Sequence, residues 1–152
     1  QMSEHVLYKT QQELEALIGT EAVRKLLEIP LHLESARESA AAADGRHTSA
    51  AGSVRYELFD CFLRRYSADT PGDQLLSSFH ADSAALTINV ALTSDESVEG
   101  GRLLGVYDRA VRTIGRAEGD ATAHSSSLLH GVTRMHKGTR YSMILFLSRT
   151  ER

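Results

Sequence analysis

The chain has 152 residues, with 41% hydrophobic and 24% charged content. Those values suit one globular domain with a real core. A formal net charge of −3 excludes the basic footprint of a nucleic-acid or anionic-membrane binder, and no apolar run approaches a membrane span. The opening "QMSEHVLYKT" has no basic-then-apolar signal pattern. Cys61, the single cysteine, cannot form an internal disulfide and reads as a small buried apolar residue, which points to a reducing, cytoplasmic setting.

Residues 10–29 predict a helix. Thr10 followed by Glu13 is a capping-box pattern. Leu14, Leu17, Ile18, Val23, Leu26 and Leu27 recur at roughly helical spacing. Gly19-Thr20 is placed to kink or divide this helix, and Pro30 is expected to end it. Residues 36–53 are rich in Ala, Ser and Gly. Ala40–Ala43 can extend a helix; the rest reads as a loop, or as a lid over a site.

From residue 54 the texture changes to short strand candidates: 54–66, 75–80, 86–92, 101–107, 110–116, 121–125, 128–132 and 141–147. "DTPGDQ", "TSDESVEGG", "AEGD" and "HKGT" supply turn chemistry between them. Gly100-Gly101 and Gly119-Asp120 are expected to make tight turns into the strands that follow. Short strands after an N-terminal helix argue for a β-sandwich or jelly roll, not for βαβ units. The expected organisation is one domain over 1–152, with 1–53 as helical and loop support and 54–148 as a jelly-roll core.

Four of the seven histidines, His80, His124, His130 and His136, lie in or beside strand-like segments. His80 and Asp82 are two residues apart, so on an extended backbone both side chains point to one face. Two imidazoles and one carboxylate on one side of a metal form the facial triad of non-haem iron oxygenases. His80 and Asp82 supply two ligands, and His130 or His136 the third. Thr87 and Asn89 alternate with Leu86, Ile88 and Val90, which turns them either to the interior or to solvent. No Ser/His/Asp or Cys/His arrangement stands out, and no catalytic residue is expected beyond the metal ligands.

"FHADSAALTINVALT", "EGGRLLGVYD" and "EGDATAHSSSLLHGVTRMHKGTRYSMILFL" together resemble the Fe(II)/2-oxoglutarate-dependent oxygenases, in the prolyl and lysyl hydroxylase-like branch. The resemblance covers about residues 54–148. It implies a double-stranded β-helix, a cupin-like jelly roll. It implies Fe(II) held by His80, Asp82 and His130, since that histidine lies ten residues before Arg140 whereas His136 lies four before it, in an apparent turn. It implies 2-oxoglutarate as co-substrate, with ascorbate as an accessory. Arg140 then anchors the far carboxylate, as a permanently charged fork suits, with Ser142 on the same strand face. Tyr66 would donate to the same carboxylate or pack in the core. His124 would line the co-substrate pocket, support a ligand, or be a satisfied core histidine. The implied reaction is hydroxylation of a C–H bond, with a prolyl or lysyl side chain of a protein favoured over a small molecule, and no nucleic acid or membrane as partner. The alternatives are a non-catalytic jelly-roll module that binds a ligand or partner, and a metal-storing or hydrolytic cupin.

Overall fold

The computed structural model describes residues 5–44, 54–69 and 77–151. The lid or loop expected within 36–53 falls mostly outside them. Its first part, up to Ala43, is helical. Among the described residues no helix is long and apolar enough to cross a membrane.

Strand β1 (His5–Tyr8) leads into helices α1 (Gln11–Ile18) and α2 (Thr20–Ala43). The Thr10 hydroxyl accepts from the Glu13 N–H at 3.2 Å, and the Glu13 carboxylate accepts from the Thr10 N–H at 2.8 Å. This is the reciprocal cap the sequence predicts. Gly19, at φ +88°, divides the two helices. That break takes Leu17 and Ile18 out of the apolar stripe and leaves them exposed. Pro30 does not end the helix as expected: α2 continues thirteen residues past it. Proline costs one helical hydrogen bond and crowds the preceding turn. Here it is buried, and Leu26, Leu27 and Ile29 beside it pack on the sheet core, so tertiary packing outweighs the local break.

Ten further strands follow: β2 (Val54–Ser67), β3 (Ser77–His80), β4 (Leu86–Ala91), β5 (Glu99–Gly100), β6 (Leu103–Tyr107), β7 (Ala110–Ile114), β8 (Ala121–Ser125), β9 (His130–Val132), β10 (Met135–Lys137) and β11 (Thr139–Glu151). They form a five-stranded antiparallel sheet, β1-β2-β11-β4-β8, and a four-stranded sheet, β3-β9-β6-β7. Successive strands cross between the sheets, giving the double-stranded β-helix expected. Strand β1 and the small β10-β5 ribbon were not legible as strands. His136, expected in a turn, lies exposed on β10.

Strand β4 of the five-stranded sheet is buried on both faces. Ile88, Val90, Met143, Leu145 and Leu147 join Leu14 and Val23 of the helices in the main core. Thr87, Asn89, Arg140, Ser142, Ile144 and Phe146 point the other way, into the space between the sheets. Strand alternation therefore separates a packing face from a chemical face. On β2 the register shifts opposite Phe146/Leu147. One extra residue changes phase there, so Tyr56 and Leu58 reach the same core as Cys61 and Leu63.

Candidate metal centre

A cavity of about 390 Å³ opens between the sheets and is lined by His80, Asp82, His130 and Arg140, among others. The two histidines of its lining arrive as a cross-strand pair. His80 at the end of β3 faces His130 at the start of β9. Across the cavity, Thr87 on β4 faces His124 on β8. Asp82 lies on the connection from β3 to β4, which crosses from one sheet to the other. It thus reaches between the two pairs.

The donor atoms of His80, Asp82 and His130 lie within 4.8 Å of one another, the arrangement of a three-ligand metal site. Nε2 of His80 is 3.6 Å from Asp82 Oδ1, and Nε2 of His130 is 3.7 Å from Asp82 Oδ2. The rings of His80 and His130 are 4.5 Å apart at their centroids. The Thr87 hydroxyl donates to Asp82 Oδ2 at 2.6 Å and fixes the carboxylate. His80 Nδ1 lies 2.8 Å from Ser78 O, and His130 Nδ1 3.2 Å from Leu128 O. A carbonyl can only accept, so each Nδ1 carries its proton and each Nε2 presents a lone pair to the centre. Lone pairs that converge on a carboxylate suit a cation between them.

His124 also turns inward. Its Nε2 is 3.7 Å from Asp82 Oδ2 and its ring is 4.5 Å from that of His130. Nδ1 faces Ser125 O at 3.1 Å. Burial pushes this imidazole below its ordinary value, against the raising effects of the Ser125 carbonyl and of Asp82. The structure places it beside the Asp82 carboxylate.

Arg140 and Ser142 enter the same cavity from β11, opposite Tyr66 and Arg64 of β2. Arg140 is 1% exposed. One of its terminal nitrogens donates to Gly101 O. Its Nε and the Ser142 hydroxyl have no hydrogen-bond partner among the described residues. Burial pushes the Arg140 guanidinium down to about 9, and nearby Arg116 acts in the same direction. It remains a cation at neutral pH. Asp95 is the buried carboxylate of this region, and Arg102 at 3.5 Å and Arg116 at 3.6 Å share it. A buried guanidinium with an unpartnered Nε and a buried hydroxyl without a partner are costly, and they fit an incoming carboxylate. Tyr66, buried and directly across from Arg140, completes that end of the cavity.

Thr87 and Asn89, left between interior and solvent by the sequence, face the interior. Arg116 and Asp95 gave no signal in the sequence: Asp95 opens a short 3-10 helix and Arg116 lies in the connection after β7. Arg64 carried one, its parity with Tyr66 on β2. Phe62, Leu103, Val132, Ile144 and Phe146 supply the apolar walls.

No family model matches this sequence, and no curated protein does. Solved structures do. An oxidoreductase of the 2OG-Fe(II) oxygenase family from Burkholderia pseudomallei has a TM-score of 0.55 at 20% identity, with 87% of this chain and 59% of that one covered. A prolyl-4-hydroxylase from Pseudomonas putida has a TM-score of 0.60 at 13% identity, with 97% and 72% covered. A prolyl hydroxylase from Trichoplax adhaerens, in complex with a hypoxia inducible factor peptide fragment, has a TM-score of 0.59 at 18% identity, with 96% and 63% covered. The chain thus spans under two thirds of the Burkholderia protein's length. Its fold is the double-stranded β-helix of 2OG-Fe(II) oxygenases.

Proposed function

We propose that this chain is an Fe(II)- and 2-oxoglutarate-dependent dioxygenase that hydroxylates a C–H bond, with a prolyl or lysyl side chain of a protein or peptide as the favoured substrate. The observation that carries this reading is one cavity holding both a His-Asp-His donor set and a buried arginine with an unpartnered nitrogen. A metal-storing or hydrolytic site has no use for the second feature. The likeness to two prolyl hydroxylases, one bound to a peptide, supports the substrate class.

His80, Asp82 and His130 would hold the metal, and Arg140, Ser142 and Tyr66 the far carboxylate of 2-oxoglutarate. Once bound, the pair supplies the oxidative chemistry: O₂ and 2-oxoglutarate are consumed, one oxygen atom goes to the C–H bond, and succinate, which keeps the other, and CO₂ are released. The backbone carbonyls of Ser78 and Leu128 hold the imidazoles of His80 and His130 in the ligating tautomer, and Thr87 holds the carboxylate. The apolar walls keep bulk water from the reacting centre. No side chain has to act as nucleophile or general base.

The test is anaerobic titration of the apo-protein with Fe(II) and 2-oxoglutarate, watching for the weak visible charge-transfer band of the chelate. The band is expected in wild type, lost in His130→Ala and weakened in Arg140→Ala. A folded wild type without the band would overturn the reading in favour of a binding module. Release of succinate on admission of O₂ and a proline-rich peptide, with a 16 Da gain on that peptide, tests the substrate class.

A further inference from the structure

We infer that the aromatic rim beside Phe146 is the docking surface for the substrate, and that its occupant is an extended peptide carrying a basic residue about three positions from the one hydroxylated. This rests on the oxygenase reading, and it adds where the peptide lies and what it carries.

The cavity has two unlike ends. Arg140, Ser142 and Tyr66 make one end polar, whereas Phe62 and Phe146 wall the other. Phe146 pairs with Thr87 on β4, and the Thr87 hydroxyl holds Asp82. The apolar end is therefore one strand spacing, about 4.8 Å, from the residue that supports the donor set. A co-substrate anchored at Arg140 leaves that end to the second reactant.

Rings continue outward from it. Phe62 meets Phe146 edge-on at 5.5 Å, Tyr8 lies 5.7 Å from Phe62, and Phe59 lies 6.1 Å from Phe146. The inner two rings belong to the cavity. The outer two, Tyr8 and Phe59, are 65% and 55% exposed, and both line a groove of about 320 Å³. Groove and cavity thus meet along one line of rings.

Two features select the occupant. The first is an open strand edge. Strand β1 covers the outer edge of β2 at Phe62–Arg65. Among the described residues no strand pairs with that edge before Cys61. Such an edge accepts an extended chain, and an aromatic-lined groove suits its prolines and aliphatic side chains. The second is charge. In the groove Lys9 pairs with Glu13 at 3.7 Å. Asp60, in the same groove, makes no hydrogen bond or ion pair among the described residues, and it complements a cation. Asp60, Phe146 and Thr87 are cross-strand partners in one row. Two strand spacings, about 9.6 Å, separate the ends of that row, which is roughly three residues of extended peptide.

The experiment incubates protein loaded with Fe(II) and 2-oxoglutarate, in air, with a pooled library of short peptides randomised around a fixed proline or lysine. Members that gain 16 Da are sequenced by mass spectrometry. Wild type is expected to favour Lys or Arg about three positions from the target. Asp60→Asn should abolish that preference, and Asp60→Lys should turn it toward Asp or Glu. Phe59→Ala and Tyr8→Ala should lower the yield about tenfold or more while keeping the chelate band, which shows a folded molecule with its site intact. Hydroxylated members without a charge preference, a preference untouched in both Asp60 variants, or full yield in both ring variants would overturn the inference. So would a wild type that forms the chelate and hydroxylates no peptide, a result that leaves the oxygenase reading standing. A wild type without the chelate band would remove that reading and this inference together.

Discussion

Replacing Arg140 with methionine should separate binding from stability. In the wild type a guanidinium that is 1% exposed has one partner in Gly101 O and an unpartnered Nε. Charge-assisted hydrogen bonds contribute about 1.5–3 kcal/mol each. Losing a two-bond grip on a carboxylate, discounted for partial replacement by water, should cost roughly 3–4 kcal/mol, or about 10²- to 10³-fold in Kd for 2-oxoglutarate. Folding should respond in the other sense. Burying an unpaired charge costs several kcal/mol, and a methionine of similar reach avoids that cost. The Gly101 carbonyl loses its donor, a penalty of about 1–3 kcal/mol. The terms nearly cancel, so the apo-protein Tm should stay within about 4 °C of wild type or rise. The chain has no tryptophan, so binding is best read from the chelate band or by calorimetry, and Tm by circular dichroism. A Kd within threefold of wild type, or a Tm loss above about 10 °C, would show that Arg140 is a structural strut.

Three further outcomes follow from the same geometry. Thr87→Val removes the 2.6 Å bond to Asp82 and should weaken Co(II) binding about 10- to 100-fold in chelator competition; unchanged affinity would show that the carboxylate needs no such support. Gly101→Ala should destabilise by about 2 kcal/mol or more in urea titration, because φ is +63° and the new Cβ would meet the Met135 sulfur; a wild-type midpoint would refute this. Leu145→Ala, on the helix-facing side and 0% exposed, should cost about 2–5 kcal/mol, yet leave the chelate band in place below the melting range.

Much of this was legible because strands have period two. Leu86, Ile88 and Val90 against Thr87 and Asn89, and Met143, Leu145 and Leu147 against Arg140 and Ser142, announce two faces in the sequence itself. His80 and Asp82 were legible for the same reason, although the strand ends at His80 and Asp82 lies in the connection. The bulge in β2 was not legible, since it changes phase in mid-strand. The run of α2 through Pro30 was not either, because packing on the sheet decided it. The contact of His124 with Asp82 depends on β8 lying beside β4, a long-range pairing that no local pattern encodes. Arg116 and Asp95 meet across twenty-one positions by the same kind of closure.

Strand β11 carries alternating duties along its length: even-numbered residues from Arg140 to Phe146 line the cavity, and odd-numbered ones from Met143 to Leu147 fill the core. A slip of one position in its pairing would exchange the two sets at once. The guanidinium would be driven among the leucines beneath the helices while those leucines turned toward His80, Asp82 and His130. The chain therefore has no cheap misregistered state in which the core is sound and the site is scrambled. A single-residue insertion or deletion within β11 should behave as a folding defect, never as a selective loss of chemistry. Cooperative assembly in this way proofreads the cavity, and variation compatible with a folded molecule is channelled into substitutions that keep the strand's count.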